Sequence, residues 1–168
     1  MAPSNDLSGE TERLAATLEL DLLHGGEFPE LDRLVAMAGD VCGANLAAFT
    51  VHDQQRAYQI STSYGSRETM PRDECLCSVV FARAQTVAVP DVRVDRRTAE
   101  ARYAISEPFV RSFAGTPVGA DPLLPIGVLA VGHTEPARFG PRGAARRTWE
   151  QARAWVRRRA SRRRTAQP

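Results

Sequence analysis

Apolar positions recur every three or four residues at the start of the chain and every second residue in its middle, a change of period that predicts helices followed by strands. Over residues 10–24, Leu14, Leu18 and Leu22 form one apolar stripe, and Gly25-Gly26 ends the helix they predict. A second helix is predicted over 29–42. Pro29 suits its first turn, Phe28, Leu31, Leu34, Val35, Ala38 and Val41 make its apolar face, and Gly43 stops it. Residues 46–52 and 57–64 read as two strands of a hairpin around Asp53-Gln54-Gln55. Tyr58, Ile60, Thr62 and Tyr64 are expected to share one face of the second. After a loop at 65–72, a short helix is predicted from 75 or 76 to 84, capped by Asp73. Further strands are predicted at 86–89, 110–118 and 126–132. A polar connection with one helical turn precedes the second of these, and Pro117 marks its end or an edge. The last strand carries few polar groups, which suits a central position. The hairpin-like steps predict an antiparallel sheet with helices packed against it, an α+β fold.

Composition refines the ends of this scheme. A chain of 168 residues, 43% hydrophobic, suits one domain with short extensions. Residues 1–9 are polar and read as a disordered leader, 10–140 as the domain, and 141–168 as a basic helix and tail. In that helix, over 143–159, Ala145, Trp149, Ala152 and Val156 are the apolar positions. All 22 basic residues are arginine. From Arg138 onward eleven of them face a single acid, Glu150; before it, eleven face nineteen acids. An acidic body thus carries a basic tail. Arg146, Arg147, Arg153, Arg157 and Arg158 are candidates for phosphates on nucleic acid or acidic lipid. The alternatives are a solvated helix face that packs Trp149 on the body, or attraction to the acidic body in cis or in a dimer. No apolar run approaches the roughly 20 residues of a membrane span, and no signal peptide is evident. Cys42, Cys75 and Cys77 are an odd set, without a disulfide framework. Together these features predict a cytoplasmic protein.

The densest chemistry lies between Pro71 and Asp95, PRDECLCSVVFARAQTVAVPDVRVD. Cys75-x-Cys77 suits a redox pair, a cofactor attachment or a metal clamp, or else two small packing residues at a helix N-terminus. Two thiols alone do not complete a four-ligand zinc site, and no second pair with metal spacing exists. Asp91, Asp95, Arg96 and Arg97 suit either a polar ligand at a pocket mouth or loop carboxylates that accept backbone N–H bonds. Arg111 shares a strand face with Phe113 and suits an ion pair with Asp91 or Asp95, or an anionic ligand. His24, His52 and His133 are dispersed, and no triad order or phosphate loop emerges.

Taken in order, several stretches resemble the GAF domain family. AGDVCGANLAAFTVHD resembles its helix and first strand, PRDECLC its PR-x-x-S-F-C loop, and VAVPDVRVDRR its VVPDA-x-x-D-x-R segment. EPFVRSFAGTPV resembles P-x-I-R-F-Y-A-G-x-P-L, and IGVLAVGHTEPARF resembles G-T-L-C-V-x-D-x-x-P-R. The resemblance runs from about Arg13 to Phe139. His133 stands where the family pattern has an aspartate, Phe113-Ala114 near its tyrosine, and Leu124-Pro125 at its glycine turn. The resemblance implies a five- or six-stranded antiparallel sheet with helices on both faces and a pocket under a connecting loop. It does not imply one activity.

Branches of the family differ in their thiols. The branch that reduces free methionine sulfoxide keeps its catalytic cysteine after the third strand, where this chain reads DVRVDRRTAEARYA without one. The bilin-binding branch pairs a cysteine with a neighbouring histidine, and no such pair occurs here. The resulting expectation is a stand-alone bacterial sensory module without catalysis, with no output domain in the 29 residues after Phe139. It binds a small molecule and relays through its first and last helices, which also form its dimer surfaces. Tyr64, Cys75, Cys77, Phe81, Asp91, Asp95, Tyr103, Arg111 and Phe113 are the candidate ligand-binding residues, although Tyr64, Phe81 and Tyr103, like Tyr58, suit the core better than stacking on a ligand. No metal or catalytic residue is assigned, and the cofactor is unknown. The alternatives are thiol redox chemistry at Cys75/Cys77 and nucleic-acid binding through the tail.

Overall fold

The computed structural model describes residues 7–121, 123–139 and 142–165, with side chains for residues 9–139 (Pro122 apart) and 146–165. Residues 1–6 of the expected leader and 166–168 of the tail lie outside these residues; Leu7–Gly9 belong to the first helix instead, and the last helix runs to Thr165, past its expected end at 159. Six strands, β1 Leu46–His52, β2 Arg56–Thr62, β3 Thr69–Pro71, β4 Val87–Val89, β5 Ser112–Val118 and β6 Gly127–His133, form one antiparallel sheet. Its order is β3-β2-β1-β6-β5-β4, which places the apolar β6 between β1 and β5. Close approach there requires glycine: a Cβ on Gly127 would lie 2.5 Å from the Thr50 carbonyl oxygen. β4 stops opposite Gly115, so β5 has no second partner at Pro117, where a backbone N–H is missing.

Helices α1 Leu7–Glu19, α2 Pro29–Cys42, α3 Ser78–Arg83, α4 Arg102–Ile105 and α5 Arg142–Thr165 divide between the two faces. On one, α2 and α5 bury Leu31, Leu34 and Val35 against Phe49, Val51 and Leu129. Trp155 of α5 sits edge-on to Phe28 and Phe49, with ring centroids 6.0 and 6.4 Å away. On the other face, α3, α4 and the segment between them bury Val80, Phe81, Val92 and Ala104 against Phe113 and Val128. The architecture is therefore α+β, a six-stranded antiparallel sheet with helices on both faces. Among the described residues, no helix is long and apolar enough to cross a membrane.

Local structure also departs from the sequence pattern in the following places. α1 ends at Glu19, and its buried face is Arg13 and Thr17 while Leu18 is 52% exposed. The non-helical segment beyond it, with Asp21 at φ 51°, carries Leu20 and Leu22 into the core instead. Residues 65–72 contain β3, too short to show a period. The helix expected from 75 or 76 begins at Ser78, and Asp73 does not cap it, because Arg72–Glu74 form a separate 3-10 turn. Finally, β2 carries a bulge. Phe49 pairs with Ser61 but Thr50 with Gln59, leaving Ile60 extra. Tyr58 and Ile60 therefore pack on the α2 side, while Thr62 and Tyr64 turn to the opposite face.

Candidate functional site: a cavity under α3 and α4

The bulge opens the sheet face onto a cavity of about 80 Å³ between β1, β2, β6 and the segment that carries α3 and α4. Its floor is Leu46, Ala48, Thr50 and Ala130. Its walls include Gln59, Thr62, Tyr64, Cys75, Cys77, Tyr103 and Phe113. Five of the nine residues singled out in the sequence thus meet around one space: Tyr64, Cys75, Cys77, Tyr103 and Phe113.

The other four lie elsewhere. Asp91 accepts the backbone N–H of Arg93 at 3.0 Å and its Nε at 2.9 Å. Asp95 holds Arg97 in the same way, with Nε at 2.8 Å. These arginines hold both carboxyls down at about 2. Each pair is a local loop clasp on the surface. Arg111 donates to the carbonyl oxygens of Ala104 and Val110 at 2.9 and 3.0 Å, and so ties the end of α4 to the sheet. Phe81 is the buried aromatic of α3, its ring 4.7 Å from that of His52 and flanked by the guanidiniums of Arg13 and Arg72 at 4.7 and 5.0 Å.

The cavity roof is held by ion pairs from outside. Arg102 of α4 donates from Nε to Glu74 at 3.0 Å, joining α4 to the 3-10 turn. Burial, and then the neighbouring Glu68 carboxylate, push the Tyr103 phenol well above its ordinary value, so it stays a hydrogen-bond donor.

The thiols occupy a buried part of the wall. Cys75 and Cys77 are both buried, and Cys77 Sγ lies 3.8 Å from Thr50 Oγ1. Cys75 is the member drawn toward thiolate, chiefly by the Cys77 thiol and next by the His52 imidazole. That thiolate in turn pushes Cys77 up. The sequence shows no base near these cysteines. The fold brings His52, the last residue of β1, beside Cys75. His52 is fully buried, and neither Nδ1 nor Nε2 has a hydrogen-bond partner among the described residues. No group of three or more His, Cys, Asp or Glu side chains among those residues is arranged to hold a metal ion.

The basic helix is largely engaged with the body. Arg158 donates to Glu30 at 2.6 Å, Arg157 to the Ala120 carbonyl at 3.2 Å, and Arg153 toward that of Pro117 at 3.4 Å. Arg163 pairs with Asp21. Arg146 pairs within the helix with Glu150 at 3.7 Å, and Arg147 is exposed.

No protein-family model matches the chain. A cyclic di-GMP phosphodiesterase of Pseudomonas aeruginosa is 28% identical over 128 residues, which cover 76% of this chain and 22% of that protein. The chain thus spans about a fifth of the length of this curated relative. Among solved structures, the GAF domain of a phosphoenolpyruvate-protein phosphotransferase from Coxiella burnetii superposes with a TM-score of 0.64. It is 12% identical, over 96% of this chain and 98% of that one. A free methionine-R-sulfoxide reductase from Neisseria meningitidis superposes with a TM-score of 0.62 at 19% identity, over 99% and 97%. With its strand order, its two helical layers and these neighbours, this chain has the GAF fold.

Proposed function

We infer that the chain is a sensory module of a signalling protein, which takes a small molecule into the cavity under α3 and α4 and passes the change to its flanking helices. The observation that carries this reading is the position of α1. Its Glu10 accepts Arg72 Nη1 at 2.9 Å, three residues before Cys75, and its Arg13 donates to the carbonyl of His52 at 2.6 Å. A shift of the cavity wall therefore reaches α1 through two short charged contacts. α5 lies on the opposite sheet face and is the second outlet. Leu18 on α1 is exposed and offers an apolar contact for a dimer through that helix.

The volume limits the occupant. About 80 Å³ holds a few waters or a small fragment, so a larger ligand requires the α3–α4 segment to open. Gln59, Thr50 and the Tyr103 hydroxyl supply the polar contacts, and apolar side chains the remainder.

The test is mass spectrometry of small molecules released from natively purified protein, followed by thermal melting with the released compound added back. A compound near one per chain that raises the melting temperature supports the reading. Empty protein that no compound of a broad metabolite panel stabilises refutes it.

A further inference from the structure

Binding a small molecule does not require two buried thiols in the cavity wall with an imidazole beside one of them. Cys75 and Cys77 both border the cavity, and the turn between them is closed by the Ser78 N–H donating to the Cys75 carbonyl at 3.0 Å. Folded in this way, the chain sends two sulfurs separated by one residue into the same small space. His52 is fully buried beside Cys75, and neither ring nitrogen makes a well-formed hydrogen bond among the described residues, a buried polar group that packing alone does not explain. Phe81 holds the ring in place, and the Arg13 and Arg72 guanidiniums beyond it are both paired with Glu10. Thr50, Gln59, Thr62, Tyr64 and Tyr103 are the other polar side chains lining the same space.

We propose that Cys75 and Cys77 are a peroxide-responsive dithiol that closes to a disulfide when a small hydroperoxide enters the cavity. The inference rests on reading that cavity as the sensory input. Hydrogen peroxide is about the size of two waters and fits the space, whereas a peptide or a glutathione-sized disulfide does not.

The chemistry balances with the residues present. The Cys75 thiolate, its proton held on His52, attacks one peroxide oxygen. The O–O bond breaks, the alkoxide or hydroxide leaves with the proton from His52, and Cys75 becomes a sulfenic acid. Cys77 then passes its proton to His52 and attacks Cys75 Sγ. The S–O bond breaks and hydroxide leaves as water with that proton. Two thiols are oxidised by two electrons, and one hydroperoxide is reduced to an alcohol (or water) plus water. Closure reshapes the turn before α3, where the Ser78 hydroxyl donates to the Arg72 carbonyl. Arg72 is the residue bound to Glu10 of α1.

The experiment uses the full chain with Cys42→Ser, so that only the two cavity thiols remain. Native protein is treated with hydrogen peroxide and mapped by peptide mass spectrometry. The expected product is a peptide containing residues 75 and 77 that has lost two hydrogens and regains them with dithiothreitol. In Cys77→Ser the reaction stops at a sulfenic acid trapped by dimedone. In His52→Asn it slows by about 10²-fold, the scale of a lost general base. The proposal is overturned if both thiols survive peroxide that oxidises free cysteine, or if they pass to sulfinic acid without a disulfide. Thiols that stay reduced in a protein still stabilised by its co-purified compound overturn the dithiol alone and leave ligand binding standing.

Discussion

Arg13 of α1 donates from Nη1 to the carbonyl oxygen of His52 at 2.6 Å, joining a flanking helix to the last residue of β1. The same guanidinium is bound by Glu10 at 2.6 and 2.8 Å and lies over Phe81. A cation only 4% exposed is thus fully employed between the helix and the wall that carries the thiols.

Replacing Arg13 with Ala leaves Glu10 with one partner, frees the His52 carbonyl and uncovers Phe81. The expected loss is about 3 kcal/mol, the scale of breaking a buried pair. Arg13→Lys recovers only part of it, because an ammonium cannot make the forked contact to Glu10 and also reach His52. Urea unfolding of both variants checks this, and equal stability of Arg13→Ala and the parent chain would refute it.

Stability is expected to follow Cys75. Its thiol is drawn below the ordinary thiol value, first by Cys77 and then by His52, while Cys77 is pushed up in turn. Between the folded and the unfolded value of Cys75 the unfolded state binds a proton that the folded state does not, so stability rises with pH across that window. The contribution is complete above the upper value and is lost as pH falls through the lower. Urea midpoints from pH 5 to 9 should show this slope in the parent chain and a flatter one in Cys75→Ala.

The basic helix is expected to be held by its tryptophan rather than by its charges. Trp155→Ala, at a buried contact with Phe28 and Phe49, should cost about 3–5 kcal/mol. Arg158→Ala breaks an exposed pair with Glu30 and should cost less than about 1 kcal/mol. Thermal melts in low and high salt separate the two contributions. A strong salt dependence of the parent chain would assign the docking to the arginines instead.

Gly127→Ala is expected to destabilise by about 1–3 kcal/mol, because the added Cβ meets backbone rather than a movable side chain. Calorimetry of the variant decides it.

The cavity residues should also divide. Tyr64→Ala removes a wall and is expected to weaken binding of the co-purified compound about tenfold, one lost contact of roughly 1.4 kcal/mol. Asp91→Ala, a surface clasp with Arg93, should leave affinity unchanged. Isothermal titration distinguishes them, and the opposite ranking would move the site to the 91–97 loop.

The sequence by itself determined the α+β class, the order of most elements, and the central place of β6. These follow from local period and from punctuation such as Pro29 and Gly43, which act within a few residues of themselves. It also marked the cysteine pair and the residues around it. Tertiary structure decided which of them share a space. One extra residue in β2, Ile60, sends Thr62 and Tyr64 to the face opposite Tyr58, and no alternation count reveals a bulge set by pairing with β1. α1 buries Arg13 rather than its leucines because Glu10, the His52 carbonyl and Phe81 together satisfy that cation, and two of these partners lie far along the chain. His52 meets the thiols only because β1 and the turn before α3 pack together across more than twenty residues of sequence. Proximity of that kind is a property of the fold, and here it turns a bare pair of cysteines into a candidate reactive site.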